Sequence, residues 1–163
     1  MQIINKAVIG SRSCIIEYND TDDFSSLPYD LCTQVYGVCF YEDKIIVVHE
    51  GKRDIWMLAG GSIESGETYE QTLRREVQEE SNMEIITWTP LGWQKIVYND
   101  NGEAVIQLRA VCRVKPLGEF IKDPAGTVDK MELINPDDYR KYFDWGDIGE
   151  WIINSAKQKV NLI

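Results

Sequence analysis

The chain has 163 residues, 44% of them hydrophobic, enough to bury one substantial core and most simply read as a single domain over residues 1–163. Lys and Arg total 17 against 27 Asp and Glu, a net charge of −10, which disfavours nonspecific binding to nucleic acid or to anionic membranes. The opening MQIINKAVIGSRSC is not a basic start followed by an apolar run, and no apolar stretch approaches membrane-spanning length; a cytoplasmic protein with no membrane and no specific nucleic acid partner is expected.

Residues 1–30 read as an N-terminal extension or hairpin that ends in a loose connection rich in Asp and Ser, Asn19 to Pro28. Gln34 to Tyr41 and Lys44 to His49 are β-branched or aromatic runs separated by Glu42-Asp43, a hairpin pattern. His49, the single histidine, ends the second run, where a lone histidine is more often structural than catalytic. Ile55 to Leu58 predicts a further strand entering the tight loop Ala59-Gly60-Gly61. Thr68 and Gln71 form a T-x-x-Q capping box, so a helix should run from Tyr69 to about Ser81, with Asn82 as its left-handed C-cap. Strands follow at Ile85 to Trp93, Lys95 to Tyr98 and Ala104 to Lys115, the last two joined by the turn Asn99-Asp100-Asn101-Gly102. Met131 to Ile134 closes the strands, Pro136 to Tyr142 starts a short helix, and Asp147 caps a final helix with Ile148, Trp151, Ile152 and Ser155 on one face. Strands on both sides of one central helix, with a second helix near the end, predict a layered α+β fold. Cys14, Cys32, Cys39 and Cys112 show no C-x-x-C pair and no nearby histidines, which argues against a zinc site and for reduced, half-buried thiols.

The chemistry concentrates in residues 61–83, GSIESGETYEQTLRREVQEESNM. On the predicted helix Tyr69, Leu73 and Val77 make one apolar stripe that can pack on a sheet, and Glu76, Glu79 and Glu80 fan out along its edge. Three carboxylates so placed repel one another and raise each other's pKa values unless a cation intervenes. Hard oxygen donors on a rigid helix edge suit Mg²⁺ or Mn²⁺. The competing interpretation is a solvated acidic face. Against it stand the Gly60-Gly61 pair just upstream and Arg75, which reaches Glu79 at i+4.

Gly61, Glu67, Arg75-Glu76-Val77, Glu79 and Glu80 fall in the pattern G-x5-E-x7-R-E-apolar-x-E-E, which resembles the signature of the Nudix (MutT-like) hydrolase family. Asn82 stands where that signature usually has a glycine, and Ala59 where a proline often precedes the glycine pair; neither change removes a ligand or a charge. The resemblance implies a Nudix-like α/β/α sandwich around a mixed sheet, with the signature loop and helix inside it. The element order fits from about Thr33 to Lys159, leaving residues 1–30 least explained. It implies a metal, Mg²⁺ or Mn²⁺, held by Glu76, Glu79, Glu80 and the carbonyl of Gly60, and an Arg75–Glu67 pair that holds the acids in place. Glu79, Glu76, Arg75 and Glu67 are then the catalytic group, with Glu79 the first choice of general base. Glu119, Asp123 and Asp129 are candidates for a base on a later loop, a solvated acidic loop being the alternative for each. The implied reaction is hydrolysis of a diphosphate linkage in a nucleoside diphosphate joined to another group, a small-molecule partner; a homodimer is left open. Two other readings stay alive: a nucleotide-binding module that does not cleave, and an isoprenoid diphosphate isomerase using Cys39 or Cys112. Trp56, Trp88, Trp93, Tyr36 and Tyr98 offer stacking surfaces for a base, although aromatics at strand positions are more often core.

Overall fold

The structure, a computed structural model, describes residues 2–124 and 126–163. In chain order the strands are β1 (Gln2–Ile9), β2 (Arg12–Asp20), β3 (Cys32–Tyr41), β4 (Lys44–Glu50), β5 (Ile55–Met57), β6 (Ala59–Ser62), β7 (Met83–Tyr98), β8 (Ala104–Pro116) and β9 (Val128–Ile134). Helix α1 (Tyr69–Ser81) lies between β6 and β7, and α2 (Gly146–Lys159) follows a 3-10 segment at Pro136–Lys141. The strands form one mixed sheet in the order β1-β2-β7-β8-β3-β4-β5, with β6 paired to β3 and β9 to β4. Only β3 and β8 run parallel; the other pairs are antiparallel.

Period-2 alternation explains why the sheet is covered on both sides. Val35 and Cys39 of β3, Ile46 and Val48 of β4, and Leu108, Ala110 and Cys112 of β8 face the layer that receives Leu73 and Val77 of α1. The intervening Val38, Phe40, Ile45, Val47 and Val111 face the opposite layer, closed by Ile148, Ile152, Ile153 and Ala156 of α2. Two apolar faces need two covers, which yields the α/β/α sandwich that the sequence led us to expect.

Several boundaries differ from the sequence expectation. β7 is one strand where two were expected, because the polar Gln94 that seemed to break it is bonded across the sheet to Gln107 (3.4 Å). Its register shifts instead between Ile85 and Thr87 and between Pro90 and Gly92, where Pro90 has no N–H for the ladder. The pair Gly60-Gly61 lies inside a short strand, since β6 closes against β3 with Tyr36 opposite Gly60. β9 begins at Val128, three residues earlier than expected. The final helix starts at Gly146 rather than after an Asp147 cap: Gly146 donates its N–H to Asp144 Oδ1 (2.9 Å), and Asp147 sits in the first turn. Its buried face runs through Ile148, Ile152, Ile153 and Ala156, while Trp151 and Ser155 are only half-buried.

The N-terminal hairpin is stitched into the sheet along most of β2, from Cys14 opposite Tyr98 to Asp20 opposite Gly92. The connection after it is anchored by Phe24, which is buried and packs against Tyr69 and Trp88. All four cysteines are reduced and buried, not half-buried. Among the described residues no helix is long and apolar enough to cross a membrane.

Candidate active site

Helix α1 starts at the capping box the sequence announces: Gln71 donates its N–H to Thr68 Oγ1 (3.2 Å), and Thr68 donates its N–H to Gln71 Oε1 (2.8 Å). Leu73 and Val77 are fully buried and lock the helix on the sheet. That rotation leaves Glu76, Glu79 and Glu80 along one edge beside β6.

Arg75 is the hub of the edge. Its Nε and Nη2 grip the two carboxylate oxygens of Glu67 (2.8 and 2.9 Å), a bidentate pair. Nη1 donates to Glu76 Oε1 (2.8 Å) and to Glu79 Oε2 (3.3 Å), and Nη2 also reaches the Ser62 carbonyl (3.1 Å). Arg75, with Thr72 Oγ1 and the Glu64 N–H also donating, holds the Glu67 carboxyl down to about 2. The i,i+4 partnership with Glu79 is thus the weakest of the contacts Arg75 makes to carboxylates.

Glu80 has the opposite environment. It is 4% exposed, and its Oε2 accepts the Gly60 N–H at 2.9 Å. Burial pushes its carboxyl up to about 8, with the charges of Glu76, Asp123 and Glu50 adding to the effect. Burial also raises Glu76, against the pull of Arg75, with Glu79 and Asp123 adding. Gly61 makes room for an acid and Gly60 for the neighbouring strand. A Cβ on Gly61 would lie 2.6 Å from the Glu76 carboxyl, and one on Gly60, whose φ is +147°, would lie 2.2 Å from the Val35 carbonyl.

The three later acids part company. Asp123 is buried beside Glu76 and Glu80, where its charge acts on both. It accepts from the Thr127 N–H (3.1 Å), Thr127 Oγ1 (2.7 Å) and the Val128 N–H (3.3 Å). Asp129 turns away to His49 Nδ1 (2.6 Å), whose Nε2 meets Asp54 Oδ1 (3.0 Å). Glu119 lines, with Arg75, Glu79, Ile121 and Lys122, an open cleft of about 510 Å³ next to the helix edge. Glu50, at the end of β4 and paired with Arg53, acts on Glu80 and was missed from sequence; an acid closing an apolar strand was its only signal. Among the described residues no three Asp, Glu, His or Cys side chains stand as a ready-made set of metal ligands; Glu67, Glu76 and Glu79 meet Arg75, while Glu80 faces Gly60.

Other expected partners do not assemble. Trp88 and Trp93 pack on the α1 layer, Tyr36 and Trp56 on the α2 layer, and Tyr98 lies under Arg12 (3.7 Å), so the aromatics form no common wall. Cys39 and Cys112 are fully buried neighbours across β3 and β8, inside the core that Leu73 enters. A thiol so enclosed does not face a pocket, which removes the structural basis for the isomerase reading.

A model of the NUDIX domain matches residues 33–152. A protein of Deinococcus radiodurans described as a Nudix hydrolase is 56% identical over 34 residues, 20% of this chain and 20% of that protein's own length. The pyrophosphohydrolase BsRppH of Bacillus subtilis, in a mutant form, superposes with a TM-score of 0.71 at 14% identity, over 88% of this chain and 92% of that one. The NUDIX domain of Shewanella oneidensis NrtR, solved with ADP ribose, superposes with a TM-score of 0.62 at 18% identity, over 79% and 88%. At these identities the two structural likenesses concern the fold.

Proposed function

This chain belongs to the NUDIX family, and we propose that it is a metal-dependent pyrophosphohydrolase cleaving a diphosphate linkage in a nucleoside diphosphate joined to another group. The observation that carries the proposal is the pairing, on one helix edge, of an Arg75–Glu67 clamp with the half-buried Glu76 and the buried Glu80, whose charged forms are both disfavoured. Carboxylates withdrawn from water and raised by neighbouring acids are a donor set that a cation would satisfy, and their all-oxygen chemistry suits Mg²⁺ or Mn²⁺. Glu76, Glu79, Glu80 and the Gly60 carbonyl would hold it, in place of the Arg75 contact that Glu76 and Glu79 now share. Bound there, the ion supplies Lewis acidity that polarises a phosphoryl oxygen and acidifies a water.

The chain's own residues divide the remaining work. Glu79 is our general base: it is the most exposed of the acids around Arg75, its side chain 32% accessible, and has the longest contact to that arginine. Asp123 is the alternative, but its hydrogen bonds to Thr127 and Val128 tie it to its own loop. Arg75 and Glu67 position the acids, and Glu67 stays ionised to do so. ADP ribose, the compound found with the Shewanella domain, exemplifies the substrate class, and a cytoplasmic enzyme is the setting we infer.

The test is product release from a panel of nucleoside diphosphate derivatives with Mg²⁺, with Mn²⁺ and with excess chelator, for the parent and for Glu79→Gln. Chelation should abolish turnover, and Glu79→Gln should lower it by roughly 10² to 10⁴ with the fold intact. Full activity in chelator, or undiminished activity in Glu79→Gln, would falsify the assignment. Metal-dependent binding of these compounds without any cleavage would favour the silent binding module instead.

A further inference from the structure

On the α2 side of the sheet lies a second cavity, of about 540 Å³, built around a buried arginine. Arg109 of β8 points into this layer because its neighbours Leu108 and Ala110 point into the other. It is 3% exposed, and its Nε has no hydrogen-bond partner. Nη1 donates to the Leu108 carbonyl (3.0 Å) and Nη2 to Gln107 Oε1 (3.0 Å). Among the described residues it has no ion pair with a carboxylate. Asp144 lines the same cavity, but its carboxylate accepts the Gly146 N–H (2.9 Å) and pairs with Arg140 (3.6 Å). The guanidinium lies over the rings of Tyr36 (4.9 Å) and Trp145 (5.6 Å). Such contacts offset part of the cost of burying a charge but leave the Nε donor unmet. A buried cation without an anion is expensive to keep, and sequences that keep one do so for something the fold alone does not supply.

We propose that Arg109 makes this cavity the seat of a base that carries carbonyl acceptors, of guanine or uracil type, and that it thereby sets the specificity of the proposed hydrolase. The proposal rests on the hydrolase reading for its biological meaning. An arginine offers donors only, so its natural partner is an acceptor edge. Guanine presents two adjacent acceptors and uracil a carbonyl, whereas adenine and cytosine place an amino donor at the corresponding position. Tyr36 and Trp145 add aromatic surface for a flat ring, and the volume falls in the usual range of small-molecule sites.

Tyr36 also joins the two sites. It lies under the Arg109 guanidinium and opposite Gly60 across β3 and β6, and Gly60 donates its N–H to Glu80. A nucleotide with its base beside Arg109 would therefore direct its phosphates toward the glutamate edge. One wall of the cavity is the N-terminal hairpin, through residues such as Lys6 and Val8. That hairpin lies outside residues 33–152 matched by the family model.

The test is isothermal titration of the full chain in excess EDTA with GMP, UMP, AMP and CMP in turn, which reads base preference without metal or turnover. GMP or UMP should bind at least about tenfold more tightly than AMP and CMP, the scale of one good arginine–acceptor contact, and the GMP and UMP arms separate a purine seat from a pyrimidine seat. Arg109→Met keeps the volume and should erase the preference without lowering the melting temperature, because it removes an unpaired buried charge. Equal affinity for all four, binding of none, a preference that survives Arg109→Met, or a collapsed melting temperature in that variant would overturn the proposal. A clear preference without any hydrolysis would sink only the hydrolase reading, and hydrolysis without preference would sink only this one.

Discussion

At Gly61 there is room for a hydrogen and nothing more, because the carboxyl of Glu76 occupies the place of a side chain. Gly61→Ala should force Glu76 aside, and a flexible carboxylate can give way at little cost to the fold. We expect activity to fall by on the order of 10²-fold, the effect of a misplaced group at a reacting centre, with the urea midpoint nearly unchanged. Gly60 makes the opposite prediction. Its neighbour is backbone, the Val35 carbonyl, so Gly60→Ala should lower the urea midpoint markedly. His49 is a second residue with a readable signature. Asp129 first, and Asp54 second, raise its pKa above the ordinary histidine value, against the effect of burial. A raised folded value means that protonation favours the fold. The contribution is complete below the unfolded value of about 6.5 and disappears as pH rises through the folded one. Thermal melts of His49→Gln should therefore lose the part of the pH dependence that the parent shows above about pH 6.5, with little difference between the two proteins well above the folded value.

Helix α1 and the segment after β8 meet at Asn82. Its backbone is left-handed (φ 53°, ψ 37°), as expected for a C-cap. From sequence, Asn82→Gly should be neutral or slightly stabilising. The structure adds a bond from Asn82 Nδ2 to the Glu119 carbonyl (3.1 Å), beside the backbone bond from the Leu117 N–H to the Asn82 carbonyl (3.0 Å). Glycine would keep the turn and the backbone bond but release the anchor of the segment lining the cleft. We now expect a net stability change within about 1 kcal/mol, the gain in the turn offsetting the lost bond. Amide exchange should become faster over residues 117–124 and not elsewhere; unchanged exchange there would show that the side-chain bond holds nothing. Strand β7 carries the same lesson. Gln94 reads as a break when seen alone and as a rung when Gln107 lies opposite it.

Across the whole molecule, the N-terminal hairpin behaves as part of the sheet rather than as an appendage. Tyr18 is fully buried in the α2-side core, Trp151 Nε1 donates to Asp20 Oδ1 (2.7 Å), and Lys159 Nζ reaches the Pro90 carbonyl (2.8 Å) and Asp22. Tyr18→Ala should then cost about 3–5 kcal/mol, the range for deleting a large buried ring, measured by chemical denaturation. A change below about 1 kcal/mol would mean that the hairpin folds independently of the rest.

The features legible in the sequence are those written within a few residues of one another. The α1 capping box, the apolar stripe of Leu73 and Val77, the spacing of Arg75 to its glutamates and the αL turn at Asn82 depend on local backbone geometry, which repeats every 3.6 residues whatever lies around it. Runs of β-branched and aromatic residues marked most strands for a similarly local reason, and the order of strands and helices implied a layered α+β fold. What the tertiary structure decided involves pairs far apart in the chain. Asp123 lies beside Glu76 and Glu80 while Asp129 turns to His49, though the two acids are close in sequence and chemically alike. Glu50 reaches Glu80 only because β4 ends near the helix edge. Arg109 looks like an ordinary polar residue of an alternating strand until Trp145 and the hairpin close over it. Such juxtapositions arise from strand pairings like Cys14 with Tyr98, which no local pattern encodes because the energy that selects them comes from burying the assembled faces together.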